Sequence, residues 1–281
     1  MTNLALRLLR KARNRTRLVA DAAAATSFLT SYPKSGRTWF RFILSNYFNT
    51  TADLKVGVDL HSTFSIVPNF DCDPVRGIPA FRQARFQSRI PLIVVTHHGY
   101  RRSIFLNRPV IFMVRDPRDV LVSAYFHATR HKHRFNGGMS EFLAHPDQGL
   151  TPLIAYLNGW GDGLQRHPHY VLSYEALSAD PVAATTKVLS FLNYAVDREA
   201  VKMAVDASQF EAMRDRERSE GIPAHNYDLT DNESLRMRKG KVGGFSDYLN
   251  SDQAELIEAR CARELSARAK ELIATTGWHI A

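Results

Sequence analysis

The stretch SYPKSGRTWFRFIL, Ser31 to Leu44, most constrains what this chain can fold into. A β-type run, TSFLTSY (26–32), ends at Tyr32. Pro33 to Gly36 then make a turn, and an amphipathic pattern opens at Arg37 or Thr38. Two cations and a glycine at a strand-to-helix joint suit an anion, because a helix N-terminus presents unpaired N–H groups and the positive end of its dipole. Gly36 lets backbone come close, Lys34 brings a point charge, and Ser35 and Thr38 bring hydroxyl donors. The nucleotide-binding pattern G-x-x-x-x-G-K-[ST] is not matched, since the lysine precedes the glycine and no glycine lies upstream. An ordinary strand-to-helix turn is the competing explanation.

The rest of the chain repeats this alternation. PLIVVTH (91–97), PVIFMVR (109–115) and HYVLSY (169–174) are nearly apolar throughout, as strands of a parallel sheet covered on both faces should be. Helical spacing follows in RTWFRFILSNYF, PRDVLVSAYFHAT and DPVAATTKVLSFL, and a last helix is expected over about 251–275. The order predicts a doubly wound α/β sheet in one domain over 26–281. Residues 50–88, rich in Pro, Asp and Gly, are expected to wander over the surface, and 215–250 to form a long polar loop.

Charge narrows the partners. The 281 residues carry a net +9, and 44% are hydrophobic, enough for a sizeable core. Five of those nine charges fall in residues 1–21, where Arg7, Arg10, Lys11, Arg13, Arg15 and Arg17 face only Asp21. Residues 1–25 read as a basic N-terminal helix or arm, either solvated or resting weakly on an anionic membrane. Arginine interrupts Leu4, Leu6, Leu8 and Leu9 too early for a signal peptide, and no run approaches a membrane span. Two cysteines, Cys72 and Cys261, make neither a disulfide framework nor a thiolate metal site. A soluble cytoplasmic protein is expected.

Two further basic joints stand out. In FMVRDPRDVLVSAYFH, Asp116 suits an N-cap, Pro117 the first turn and Asp119 the helix dipole. Arg115 at the strand end and Ser123 two turns on would grip a second phosphate, unless Arg115 simply pairs with a carboxylate. In RMRKGKVGG (236–244), Arg236, Arg238, Lys239 and Lys241 alternate with glycines, a composition found in solvated loops and in anion-binding nests.

Together YPKSGRTW, RDPRDVLVSAYFH and RKGKVGG, in this order, resemble the PAPS-dependent sulfotransferases, over about residues 28–248. The resemblance implies a P-loop-NTPase-like α/β fold and transfer of a sulfuryl group from 3′-phosphoadenosine 5′-phosphosulfate (PAPS) to a hydroxyl or amine, with no metal. It implies that Lys34, Ser35, Gly36, Arg37, Thr38 and Trp39 surround the 5′-phosphosulfate, with Trp39 near adenine. Arg115 and Ser123 match the pair on the 3′-phosphate, joined by Arg238, Lys239 and Gly240. Tyr174 in LSYEAL and Phe210 in FEAMR match aromatics near the nucleotide, or are core aromatics. VVTHHGY resembles the family's Lys-Thr-His segment, so His97 matches the catalytic base, with His98 as its rival and Lys34 as the charge stabiliser.

Two departures matter: the family's lysine before Thr-His is Val95 here, and Arg37 replaces a threonine-like residue. No dimer motif is recognisable after the late loop, so oligomeric state stays open. HKH (131–133) reads as a solvated helix end or an acidic-acceptor patch. The acceptor, whether small molecule, glycan or lipid, would contact segments 50–88, 130–150 and 215–236, the last as a lid; Phe64, Phe70, Phe81, Phe86, His131 and His133 lie in them. A kinase or NTPase with an aberrant loop competes from another enzyme class. A basic nucleic-acid-binding module competes from outside enzymes, although the cations cluster at strand and loop ends and no recognition motif is present, so no nucleic acid is expected.

Overall fold

The computed structural model describes residues 16–222 and 227–280. Most of the basic N-terminal segment, residues 1–15, lies outside them; 16–24 are helical. Four parallel strands form the sheet: β1 (Ser27–Ser31), β2 (Ile93–Thr96), β3 (Val110–Val114) and β4 (His169–Ser173), in the order β2-β1-β3-β4. All four expected runs are strands, each one to three residues shorter than its apolar stretch.

Strand alternation divides the core in two. Leu29, Ile93, Val95, Ile111, Met113 and Leu172 face one cluster, with helices α1 (Arg37–Thr51), α5 (Pro181–Phe191) and α6 (Arg198–Asp206). Phe28, Val94, Val110, Phe112 and Val114 face the other, with α2 (Pro117–Phe126), α3 (Leu150–Leu164), α8 (Ser251–Glu264) and α9 (Ala267–Ala274). Helices on both faces explain why these strands are apolar throughout. The short α4 (Tyr174–Ala179) follows β4, and α7 (Phe210–Glu220) precedes the late basic loop.

Four expectations need correction. The single C-terminal helix is two, because Leu265 is extended and Ser266 caps α9 by accepting from the Ala269 N–H. Residues 50–88 do not wander: they hold short helices at Thr63–Ile66 and Ile78–Gln83 and bury Leu60, Phe64, Ile66, Phe70, Ile78 and Phe81. Phe70 N donates to Val95 O (2.8 Å) and Val95 N to Pro68 O (2.9 Å), so this segment runs alongside β2. The polar loop begins only after Glu220, since α7 extends through the charge run. The HKH site is no solvated helix end at His131, which is 1% exposed and whose Nδ1 lies 2.9 Å from Ser234 O.

The strand order fixes where a ligand belongs. From β1 the chain moves to β2 on one side, then crosses to β3 on the other, so the carboxyl ends of β1 and β3 flank a topological switch point, where open α/β sheets bind ligands.

Candidate active site

The turn after β1 is tightly bent. Lys34 and Gly36 both adopt left-handed backbone, φ 75° and 90°. For a lysine this conformation costs about 1–2 kcal/mol, a strain that is stored where backbone N–H groups must point into a concavity. A Cβ on Gly36 would lie 2.4 Å from the Tyr174 ring, so glycine is required twice over. Gly36 caps α1 without a side-chain hydrogen bond, while Trp39 N donates to Gly36 O (3.0 Å) within the first turn.

A cleft of about 410 Å³ opens over this turn. It is lined by thirteen of the fourteen residues singled out in the sequence: Lys34, Gly36, Arg37, Thr38, Trp39, His97, Arg115, Ser123, Tyr174, Phe210, Arg238, Lys239 and Gly240. Ser35 is the exception. It is buried, and its hydroxyl donates to Tyr32 O (3.0 Å), closing the turn from behind.

Arg115 pairs with a carboxylate and still faces the cleft. Its Nη2 donates to Asp119 Oδ2 (3.2 Å) and Lys241 O (3.2 Å), and its Cζ sits 4.3 Å over the Tyr174 ring. Trp39 Nε1 donates to Ser208 O (2.8 Å), which sets the indole against Tyr174. Gly240, at φ 64°, lets the late loop come within contact of Phe210; a Cβ there would meet the ring at 2.6 Å.

Two acids, neither legible as functional in the sequence, pin that loop. Asp119, expected only to serve the helix dipole, accepts from Gly243 N (3.0 Å) and Phe245 N (2.8 Å). Glu217, 0% exposed, accepts from Arg236 N (2.7 Å), Met237 N (2.8 Å) and Tyr227 OH (2.7 Å). Nothing in the charge run of α7 separates Glu217 from Asp215 or Glu220; only its burial does. An amide at 217 turns one acceptor into a donor facing backbone N–H. Glu217→Gln is therefore expected to weaken nucleotide binding by about tenfold or more, following the 1–3 kcal/mol of an unsatisfied buried polar group. Calorimetry against adenosine 3′,5′-bisphosphate (PAP) checks this, and unchanged affinity would show that the anchor is dispensable.

The electrostatics are lopsided. Seven cations line the cleft (Lys34, Arg37, Arg115, Arg236, Arg238, Lys239, Lys241) against one acid, Asp119. Burial, then Arg236, pull the Lys34 ammonium down to about 7, and the same two causes depress Arg37. His97 opens to the cleft while protein encloses the cleft around it. Its Nδ1 lies 2.7 Å from Ser31 O. A carbonyl only accepts, so Nδ1 carries the proton and Nε2 keeps its lone pair. Burial foremost, with Arg37 and Arg236, holds the ring well below its ordinary pKa and so neutral. His98 does not line the cleft; its ring meets Phe70 edge-on. Among the described residues no group of three His, Cys, Asp or Glu side chains is placed to hold a metal, and no helix is long and apolar enough to cross a membrane.

The model of the sulfotransferase domain family matches residues 25–269. The chain belongs to this family. Among its relatives are sulfotransferase 1B1 of Mus musculus, 27% identical over 264 residues (86% of this chain, 83% of that protein), and the 3-alpha-hydroxysteroid sulfotransferase of Cavia porcellus, 28% identical over 264 residues (89% and 86%). The fold is shared with mouse sulfotransferase SULT7A1 complexed with PAP (TM-score 0.60, 19% identity, 92% of this chain and 94% of that one). It is shared also with retinol dehydratase in complex with androsterone and inactive cofactor PAP (TM-score 0.60, 19% identity, 86% and 80%). The P-loop-like α/β class read from the sequence is the one observed, and family membership disfavours the kinase and nucleic-acid alternatives.

Proposed function

We propose that this sulfotransferase takes its sulfuryl group from PAPS and passes it to an acceptor hydroxyl. The observation that carries this reading is the convergence, on one cleft at the switch point, of a left-handed Lys34–Gly36 cradle, the Arg115–Ser123 pair and the glycine-bearing late loop. These residues fit a nucleotide phosphorylated at two positions: Gly36 and Gly240 let the β1 turn and the late loop close onto the Tyr174 and Phe210 rings, and seven cations line the cleft so formed.

The donor supplies an activated S–O bond; the protein supplies position and charge. Lys34 and the α1 N-terminus would hold the 5′-phosphosulfate, and Arg115, Ser123, Arg238 and Lys239 the 3′-phosphate, with Trp39 and Phe210 beside the base. His97 Nε2 accepts the hydroxyl proton as the acceptor oxygen bonds to sulfur. The S–O bond to the 5′-phosphate breaks, its electron pair stays on that oxygen, and Lys34 stabilises the charge.

Calorimetric titration with PAP, 5′-AMP and ATP, without magnesium, tests the donor assignment. Micromolar binding only of PAP is expected, weakened about ten- to hundredfold in Arg115→Ala, the range for a charge-assisted contact. Equal binding of all three, or of none, would remove the assignment.

A further inference from the structure

One imidazole on the cleft wall has no part in the donor assignment. His127 lines the cleft, and from it α2 passes into a single π-helical turn, His127–His131, closed by Lys132 N donating to His127 O (2.9 Å). Single π turns at helices frequently mark functional sites. Here the wide turn stacks residue 131 on residue 127, with 4.5 Å between ring centroids and 30° between planes. The stack is held firmly. His131 Nδ1 lies 2.9 Å from Ser234 O, Tyr227 packs on the His131 ring at 3.9 Å, and the Tyr227 hydroxyl donates to buried Glu217 (2.7 Å).

His127 itself is left unsatisfied. Its Nδ1 is buried with no hydrogen-bond partner among the described residues, and the ring makes no hydrogen bond to any of them through Nε2 either. A phenylalanine would keep the stack and bury no dry nitrogen, so packing gives no reason for histidine at this position. Burial foremost, then Lys34, keeps the ring neutral, so one nitrogen carries a proton and the other a lone pair. Among buried backbone groups an orphaned N–H is rarer than an under-satisfied acceptor. The same cost applied to the ring puts the bare lone pair on buried Nδ1 and the proton on Nε2. The cleft thus holds two neutral imidazoles of opposite sense: His97 accepts at Nε2 and His127 donates.

We propose that His127 is a specificity-determining residue, whose Nε2–H donates to a second oxygen of the acceptor while His97 takes the proton of the reacting hydroxyl. The acceptor class is then a hydroxyl compound bearing a further hydroxyl or carbonyl. A site built to hydrogen-bond such a group discriminates against the analogue that lacks it, because the donor is left dry.

The inference rests on the PAPS reading, which PAP calorimetry tests first. No PAP binding would remove the donor assignment and this inference with it; PAP binding without the discrimination below would remove this inference alone. Transfer of labelled sulfuryl from PAPS is measured to two matched pairs, 4-nitrocatechol against 4-nitrophenol and 4-hydroxyacetophenone against 4-ethylphenol. For each pair, kcat/KM of the member with the second oxygen is divided by that of its partner. In at least one pair this ratio is expected to be about fivefold higher in the wild type than in His127→Phe, the worth of one neutral hydrogen bond. Comparing protein with variant cancels the intrinsic reactivity of the phenols. His127→Gln, whose amide N–H can stand in for Nε2–H, should keep part of the ratio. Loss of a dry nitrogen should leave the Tm of His127→Phe level or higher. Equal ratios in wild type and His127→Phe for both pairs, or transfer to none of the four compounds, would overturn the inference. So would a lowered Tm with both members of each pair slowed alike, the pattern of a packing residue, or a glutamine variant that loses the ratio as fully as phenylalanine.

Discussion

Turnover by Lys34→Ala is expected to fall by about a hundredfold or more, the roughly 3 kcal/mol lost when one preorganised contact to developing charge is removed. Alanine tolerates φ 75° no better than lysine does, so the substitution removes charge without adding backbone strain. The loss should appear in kcat as well as in donor affinity, because the leaving oxygen bears more charge in the transition state than in the ground state. The depressed ammonium adds a signature that a structural lysine would not give. Before the donor arrives, Lys34 titrates at about 7, lowered by burial and by Arg236. Bound anions raise it again. The lysine's contribution to affinity is thus fully present below pH 7 and fades as pH rises through the higher, bound value. At pH 8 PAP binding should take up close to one proton, read by calorimetry in two buffers of different ionisation enthalpy. Lys34→Met should take up none, and a wild-type protein taking up none would detach Lys34 from the phosphates.

Why some of this was legible in the sequence, and some not, follows from how local each feature is. The cradle is local: strand, glycine and helix start lie within ten residues, and φ > 0 at Gly36 is a demand that only a few residue types meet. Arg115 and Ser123 are local as well, two turns apart on one helix start. The sheet could be read because both of its faces are buried, which removes the usual alternation and leaves four unmistakable apolar runs. Non-local roles were invisible. Glu217 looks like one more acid in a charged helix until Arg236 N and Met237 N arrive from twenty residues away. His131 looked solvated in HKH, yet Tyr227 packs on its ring at 3.9 Å between centroids. Residues 50–88 looked like surface because their apolar positions follow no single period; they pack through short helices whose spacing resets at each turn.

His97→Ala should cost about a hundred- to ten-thousandfold in kcat, the range for a positioned general base, and should leave PAP affinity nearly unchanged because the imidazole is neutral and bonded to Ser31 O. This split separates it from Lys34, whose loss weakens both. The pH profile follows from the same geometry. A histidine at its ordinary pKa of about 6.5 would lose half its basic form at that pH. His97 is exposed to the cleft, yet desolvation by the cleft walls foremost, with Arg37, holds it below that value, so acceptor kcat/KM should hold level as pH falls through 6.5 and decline only in more acid solution. Asparagine at 97 can keep a donor toward Ser31 O but offers no basic nitrogen. His97→Asn should therefore fold and bind PAP as the wild type does while matching alanine in kcat. Should the asparagine variant retain most of the wild-type rate, proton removal belongs to another group, and the imidazole at the end of β2 serves only to hold the β1 turn in place.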